Sequence, residues 1–326
     1  MRELTYTAAA REALAEEMAK DPTIFVVGEG IGQRGGNFAT TTGLYELYGT
    51  ERLRDTPISE RGFVGMCTGA AMTGSRPIVD FMFIDFLLDS LGELINQTAK
   101  IQYMSSGRLK MPIVLRGCIG IGHAAATHHS GSYYNIFTNL PGFRVVVPTT
   151  PADAKGLFKT AIRSDDPVLF LEHKSLLGVK GPVPDGDDFY LPFGQAATPR
   201  PGEHVTVVAV GWMVHKTLEA SQKLAAEGIS VEVIDPRTLA PLDIDTILES
   251  VHKTGRLLVV DESFAPCGIG AEIAAQVGDR GFDDLDAPIR RLNGAQAPTP
   301  YSPTLEAAAV PNPDSIAQAI RDLMAE

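Results

Sequence analysis

Three of the seven histidines in this chain fall within the run HAAATHHSG, as His123, His128 and His129. Imidazole changes charge near neutral pH, so such a run points to acid–base or hydrogen-bonding duty for at least one of the three. A zinc site is the rival reading, but the spacing matches no common zinc pattern and no nearby Cys, Asp or Glu completes a set. A serine hydrolase does not fit, because there is no GxSxG elbow. The second group is DTPISE, ending at Glu60, followed by GFVGMCTGAA. That small, apolar run reads as a buried helix with close backbone approach at Gly65 and Gly69. A carboxylate at its mouth has two readings. It caps the helix or pairs with Arg61, or it is a functional acid whose apolar surroundings penalise its charge. The residues alone leave both open. A third group, Gly30-Ile31-Gly32-Gln33-Arg34-Gly35, fits GxGxxG after a strand. A dinucleotide site needs a helix to open there, whereas GNFATTTG (residues 36–43) is loop chemistry. A nicotinamide-dependent oxidoreductase is therefore the minor alternative.

The elements that must position these groups alternate between helix and strand. Tyr6, Ala9, Ala10, Ala13, Leu14 and Met18 recur at helical spacing, and the apolar run Ile24-Phe25-Val26-Val27 follows. Further buried strands are expected at 78–83, 113–115, 145–147 and 168–171. A helix is expected over 86–104, and another from Thr150-Pro151, where Thr caps and Pro suits the first turn. The Pro-, Gly- and Asp-rich stretch from Lys174 to Gly202 has no sustained period. Alternation then resumes: strand 205–210, helix 214–226 with Gly228 as C-cap, strand 231–234, helix 244–253, strand 257–260 and a last helix through Ile316, Ile320 and Leu323. The expected fold is α/β, as two doubly wound domains with parallel sheets covered on both faces. The domains are placed at 1–185 and 203–326, joined by a linker at 186–202.

A chain of 326 residues, 44% hydrophobic and 21% charged, has the length and balance of a two-domain globular protein. Its net charge of −12 argues against a nucleic-acid partner, which needs a basic face. Cys67, Cys118 and Cys267 form no CxxC pattern and suit a reducing compartment. The opening MRELTYTAAAREALAEEM lacks a signal-peptide core, and no apolar run is long enough to span a bilayer. A cytoplasmic protein without membrane association is expected.

In these surroundings DTPISERGFVGMCTGAAMTG resembles the cofactor-activating segment of the β subunits of the E1 component of thiamine-diphosphate-dependent 2-oxo acid dehydrogenases. AAATHHSG is similar to their active-site His loop. PGFRVVVPTTPADAKGLFKTAIRSDDPV and VIDPRTLAPLDIDTILESVHKTGRLLVVDES are similar to further blocks of the same family. The resemblance implies a pyrimidine-binding thiamine-diphosphate fold followed by a transketolase C-terminal-like domain. It implies that Glu60 hydrogen-bonds N1′ of the aminopyrimidine ring, with Phe86 as the aromatic contact and Glu29 and Ile58 as further cofactor positions. His129 would hydrogen-bond the reacting group and assist acyl transfer to the lipoyl group of an E2 acyltransferase. The GDG motif that holds Mg²⁺ and diphosphate in thiamine enzymes is missing; Asp185-Gly186-Asp187 does not match it. The resemblance therefore implies a separate α subunit carrying Mg²⁺, in an α₂β₂ heterotetramer. It also implies a structural potassium ion, mapping to Ile113, Ala161, Ile162 and Asp166, with Ser164 where Asp is usual. His128 stands where Gln is usual and Gly131 follows Ser130; with the atypical His123, these departures fall on the substrate side. FLEHKSLLG and MVHKTLEASQKLAAEG resemble the acetoin-cleaving branch more than the pyruvate branch. The other alternative is a non-catalytic scaffold subunit, against which intact Glu60 and His129 argue.

Overall fold

The computed structural model describes residues 1–326, which divide into two compact α/β units. The first comprises Met1–Ile119 and Ile136–Phe193, the second Gly120–Asn135 and Gly194–Glu326. The stretch containing all three clustered histidines thus belongs with the second unit. None of the helices is long and apolar enough to cross a membrane.

In the first unit, strands Arg144–Val146, Val168–His173, Val114–Ile119, Arg76–Phe83, Ile24–Gly28 and Leu53–Asp55 lie side by side in that order, all parallel. Val114–Ile119 and Val168–His173 are buried at every residue, which is why they read as continuous rather than alternating apolar runs. At their centre the guanidinium of Arg116 forks onto the carboxylate of Glu172, at 2.5 and 3.0 Å, with both side chains 2% exposed. Helix Tyr6–Lys20 starts where Thr5 accepts the N–H of Ala8, and it buries the face containing Ala9, Ala13 and Met18. It packs on helix Pro151–Arg163, which opens with a capping box between Thr150 and Asp153 and Pro at its first turn.

Between these two helices the polar groups are paired, as burial demands. Lys155, fully buried, donates to Glu12 (2.6 Å), Glu16 (2.8 Å) and the carbonyl of Gly186 (3.0 Å), which uses all three ammonium protons. Lys159 and Arg163 continue the row onto Glu16 and Glu17. Losing one partner of such a pair costs about 3–5 kcal/mol, because the other charge stays buried.

The second unit has a sheet in the order Arg290–Gly294, Leu257–Phe264, Val205–Ala209, Val231–Asp235, Ala197–Arg200, parallel except for the last strand. Helices Trp212–Ala225 and Pro313–Met324 close one core through Val214, Leu224, Ile316, Ile320 and Leu323. Helices Ile244–Thr254 and Ile269–Arg280 form a second pair on the sheet. Each fully buried Val, Leu or Ile contributes roughly 1.5–3 kcal/mol.

Three regions depart from the sequence expectations. The helix expected over 86–104 is a succession of a 3₁₀ segment (Ile84–Ser90), a short α turn, a π segment (Leu94–Thr98) and a last α turn (Ile101–Met104). Leucine spacing marked the buried side but not the hydrogen-bond register, and local π segments concentrate at functional sites. Helix Glu60–Met72 is not buried all round. Phe63, Val64, Cys67 and Ala71 face inward, while Gly62, Gly65, Met66 and Gly69 are exposed, and a side chain on Gly69 would meet nothing within 4 Å. The stretch 186–202 contains strand Ala197–Arg200; the second unit's main segment begins at Gly194, and it also takes in Gly120–Asn135 from within the expected first domain. An edge strand needs apolar residues on only one side, so Ala197-Thr198-Pro199-Arg200 carried little strand signal.

Candidate active-site residues

The chain leaves strand Leu53–Asp55 through Thr56, whose N–H donates to the carbonyl of Gly28 (3.0 Å), and then enters helix Glu60–Met72. Ser59 is the N-cap and makes no side-chain capping bond; Glu60 is the first helical residue, where the helix dipole favours negative charge. Its side chain is 6% exposed. Neither bland reading of this residue survives. The cap is Ser59, and Arg61 turns to Glu93 instead, with Nε 2.8 Å from the carboxylate. Glu60 has no hydrogen-bond or ion-pair partner in the chain. Its ionisable neighbour is Glu29, just past strand Ile24–Gly28, whose carboxyl is raised first by burial and second by the charge of Glu60. Both causes act against a full negative charge on Glu29.

The other positions of the first unit fall into place around this corner or apart from it. Phe86 is half-buried in the 3₁₀ segment, its ring edge-on to Phe83 at 6.3 Å, and Phe83 is edge-on to Phe38 at 5.3 Å. Ile58, 83% exposed, stands bare one residue before the N-cap. The Gly30–Gly35 loop folds back on itself: Gly36 N–H donates to the carbonyl of Gly30 (2.9 Å), and Gly32 N–H to the Asp55 carboxylate (2.9 Å). Gly36 has φ +81°, and a side chain there would come within 2.4 Å of the Thr40 hydroxyl. The next helix begins only at Tyr45, so the dinucleotide reading lacks the helix on which a pyrophosphate would sit.

The residues mapped to a cation are on one rim of the first unit's sheet. The carbonyls of Ile162 and Ser164 accept from the guanidinium of Arg76 (3.1 and 2.9 Å), and Ala161 accepts from Ser164 N–H (3.2 Å). Ile113 accepts from Val168 N–H (3.0 Å), and Asp166 pairs with Arg144 (2.7 Å). Two guanidinium groups, of Arg76 and Arg144, meet three carboxylates, of Asp21, Asp165 and Asp166. The acceptors of Ile162, Ser164 and Asp166 are thus already met by guanidinium groups of the chain itself.

His129 lies in the second unit, in a single 3₁₀ turn over Thr127–His129, half-buried beside the exposed His128 and His123. The surrounding loop is conformationally unusual. His123, Ala124 and Ala126 have φ of +65°, +50° and +61° without being glycine. Each such residue costs of order 1–3 kcal/mol and persists only where neighbours over-determine it. Carboxylates far along the chain do so here. Glu306, on helix Pro303–Ala308, accepts from the N–H groups of Gly122 (2.8 Å) and Ala124 (3.3 Å). Glu262 accepts from Ile121 N–H (3.2 Å) and the Ser132 hydroxyl (3.1 Å). The buried Tyr134 hydroxyl donates to Asp261, and Asn135 bonds both Ser263 and the N–H of Ile269. No trio of His, Cys, Asp or Glu in the chain is arranged to hold a metal.

Against known proteins, residues 2–180 match the transketolase pyrimidine binding domain and residues 194–316 the transketolase C-terminal domain. The β subunit of acetoin:2,6-dichlorophenolindophenol oxidoreductase from Cupriavidus necator is 45% identical, over 99% of this chain and 98% of that one. The 2-oxoisovalerate dehydrogenase β subunit of Bacillus subtilis is 44% identical, over 99% of both. The pyruvate dehydrogenase E1 β subunit of Rhizobium meliloti is also 44% identical, over 98% of this chain and 70% of that one. This chain belongs to the E1 β-subunit family. A solved split-gene transketolase, an inactive β4 tetramer, shares the fold, with a TM-score of 0.79, 22% identity and coverage of 99% and 98%. Membership in the E1 β family implies thiamine diphosphate as the cofactor. A buried carboxylate left without a partner, beside a second carboxyl whose pKa is raised by burial and by the first, is a fitting receptor for a heterocycle that exchanges a proton. Sequence reasoning missed Glu262, Glu306, Asp261 and Tyr134. The VVDES block held two of them in view, but nothing local marks Glu306, whose significance comes from contacts more than 180 residues distant in sequence.

Proposed function

We propose that this chain joins a separate α subunit to form a thiamine-diphosphate-dependent E1 enzyme. It decarboxylates a small 2-oxo acid or cleaves acetoin and transfers the acyl group to the lipoyl group of an E2 acyltransferase. The identities to acetoin, pyruvate and 2-oxoisovalerate relatives differ by a single percentage point, so the substrate is left at that class. The carrying observation is Glu60: a buried carboxylate at a helix N-terminus, without a partner in its own chain.

When bound, thiamine diphosphate supplies a carbon nucleophile and an electron sink. The work of this chain is proton control and orientation. Glu60 shares a proton with N1′ of the aminopyrimidine, and Glu29 beside it, its carboxyl raised by burial and by the charge of Glu60, adds to the pressure against full charge at this corner. Phe86 offers a ring face to the pyrimidine, and Ile58 an apolar surface that the chain itself leaves bare. His129 donates a hydrogen bond to the reacting group and supports acyl transfer. Mg²⁺ and the diphosphate fall to the α subunit, since the chain has no GDG motif, and an α₂β₂ heterotetramer follows from that division. A structural potassium ion on Ile113, Ala161, Ile162 and Asp166 is assigned no step.

Calorimetric titration of thiamine diphosphate with Mg²⁺ tests this reading, on the chain alone and co-purified with an α subunit. Tight binding only in the mixed sample is expected. Equally tight binding to the lone chain would end the proposal of a divided cofactor site.

A further inference from the structure

The loop that carries His129 is tied down by two buried carboxylates. On one side it borders a cavity of about 380 Å³, lined by Thr127, Ser130, Gly131, Glu262, Phe264 and Pro298 among others. Between Ile121 and Thr127, which line that cavity, the backbone takes positive φ at Gly122, His123, Ala124 and Ala126. Glu306, 5% exposed, aims both oxygens at the backbone of this stretch, one at Gly122 N–H and one at Ala124 N–H. Glu262, 9% exposed, holds the entry at Ile121 and the exit at Ser132. Two alternate backbone N–H groups converge on one carboxylate, and bonds to an ionised acceptor are about twice as strong as neutral ones. Here the anion is supplied by the protein.

We propose that Glu306, seconded by Glu262, is a positioning residue for His129: its carboxylate locks the 122–126 backbone and so sets where the imidazole stands. This rests on the acyl-transfer role assigned to His129. Glu306 itself touches neither substrate nor cofactor. A glutamine in its place keeps one acceptor but turns an N–H₂ donor toward an N–H, so one of the two bonds is lost.

The experiment uses the α/β holoenzyme carrying Glu306→Gln, Glu306→Asp or His129→Ala. Each is assayed for acyl transfer to a lipoyl domain and for turnover with an artificial electron acceptor, and amide hydrogen exchange is followed over residues 120–126. A misplaced group costs up to about a hundredfold, so lipoyl transfer by Glu306→Gln should fall about ten- to a hundredfold while artificial-acceptor turnover stays within about twofold. Exchange at Gly122 and Ala124 should quicken, and Glu306→Asp, which retains the charge, should recover part of the transfer rate. Equal losses in both assays, unchanged exchange, or faster exchange with intact transfer would each overturn the proposal. His129→Ala separates the two levels: intact transfer in that variant removes the role of His129. A transfer-specific loss in Glu306→Gln alone would then tie Glu306 to another group of the loop and overturn its link to His129.

Discussion

The Glu60 corner and the His129 loop, the two sites proposed to carry the chemistry, are shaped by opposite routes. Glu60 sits at the first turn of a regular helix whose inward face, Phe63, Val64, Cys67 and Ala71, would fold the same way around any small side chain. What distinguishes the residue is what it lacks, a partner of its own. The His129 loop is irregular, held in left-handed conformations by residues from Glu262 to Glu306. The first site is preorganised by secondary structure and the second by long-range hydrogen bonds. The first should lose chemistry without losing shape, and the second should lose shape before it loses chemistry.

The sharpest break of this comparison is Glu60→Gln. An amide cannot share the proton, so activity of the α/β enzyme should drop by about 10²–10⁴, the usual worth of acid–base help, with the melting temperature little changed. Near-normal turnover would sink the assignment. His129→Ala should have a smaller and more selective effect: lipoyl-linked transfer falls clearly more than turnover with an artificial acceptor, and equal losses would remove the distinction between the two sites.

The smallest effect concerns the platform under the His loop. Asp261 is fully buried, and burial raises its carboxyl to about 6 from the ordinary 3.8, with the charge of Glu262 adding to the rise and the Tyr134 hydroxyl and Ser263 N–H opposing it. One of its oxygens has no partner. A pKa higher in the folded state than in the unfolded one means stabilisation that is complete below about pH 4 and is lost as pH rises through about 6. Asp261→Asn, which keeps an acceptor for Tyr134, should therefore flatten the fall in stability between about pH 4 and 6, by at most about 3 kcal/mol. Superimposable pH–stability curves for the two proteins would show that this carboxyl does not limit the platform.

How much of this was legible in the sequence follows the same division. Buried parallel strands such as Val168–His173 announce themselves, because both faces need apolar residues and few other structures do. The capping box at Thr150 and Asp153 is equally local and was readable as such. Glu60 and His129 could be singled out by their surroundings, and the roles proposed for them came only with the resemblance to the E1 β family. The anchors of the loop were invisible. A glutamate in SPTLEAA gives no sign that its oxygens meet a backbone 184 residues away, and neither periodicity nor composition encodes such a bond. The broken segment over 84–104 was misread for a related reason: leucine spacing reports which side is buried, whereas the choice among 3₁₀, α and π is made by packing.

The lysine row between the first unit's two helices has a practical corollary. Lys155 and Lys159 are wholly enclosed and Lys174 is 3% exposed, so an amine-acylating reagent reaches them only when that unit opens. In a mass-spectrometric footprint they are clocks for local unfolding already present in the native chain. The interval between labelling of surface lysines and labelling of these three measures how often the first unit breathes.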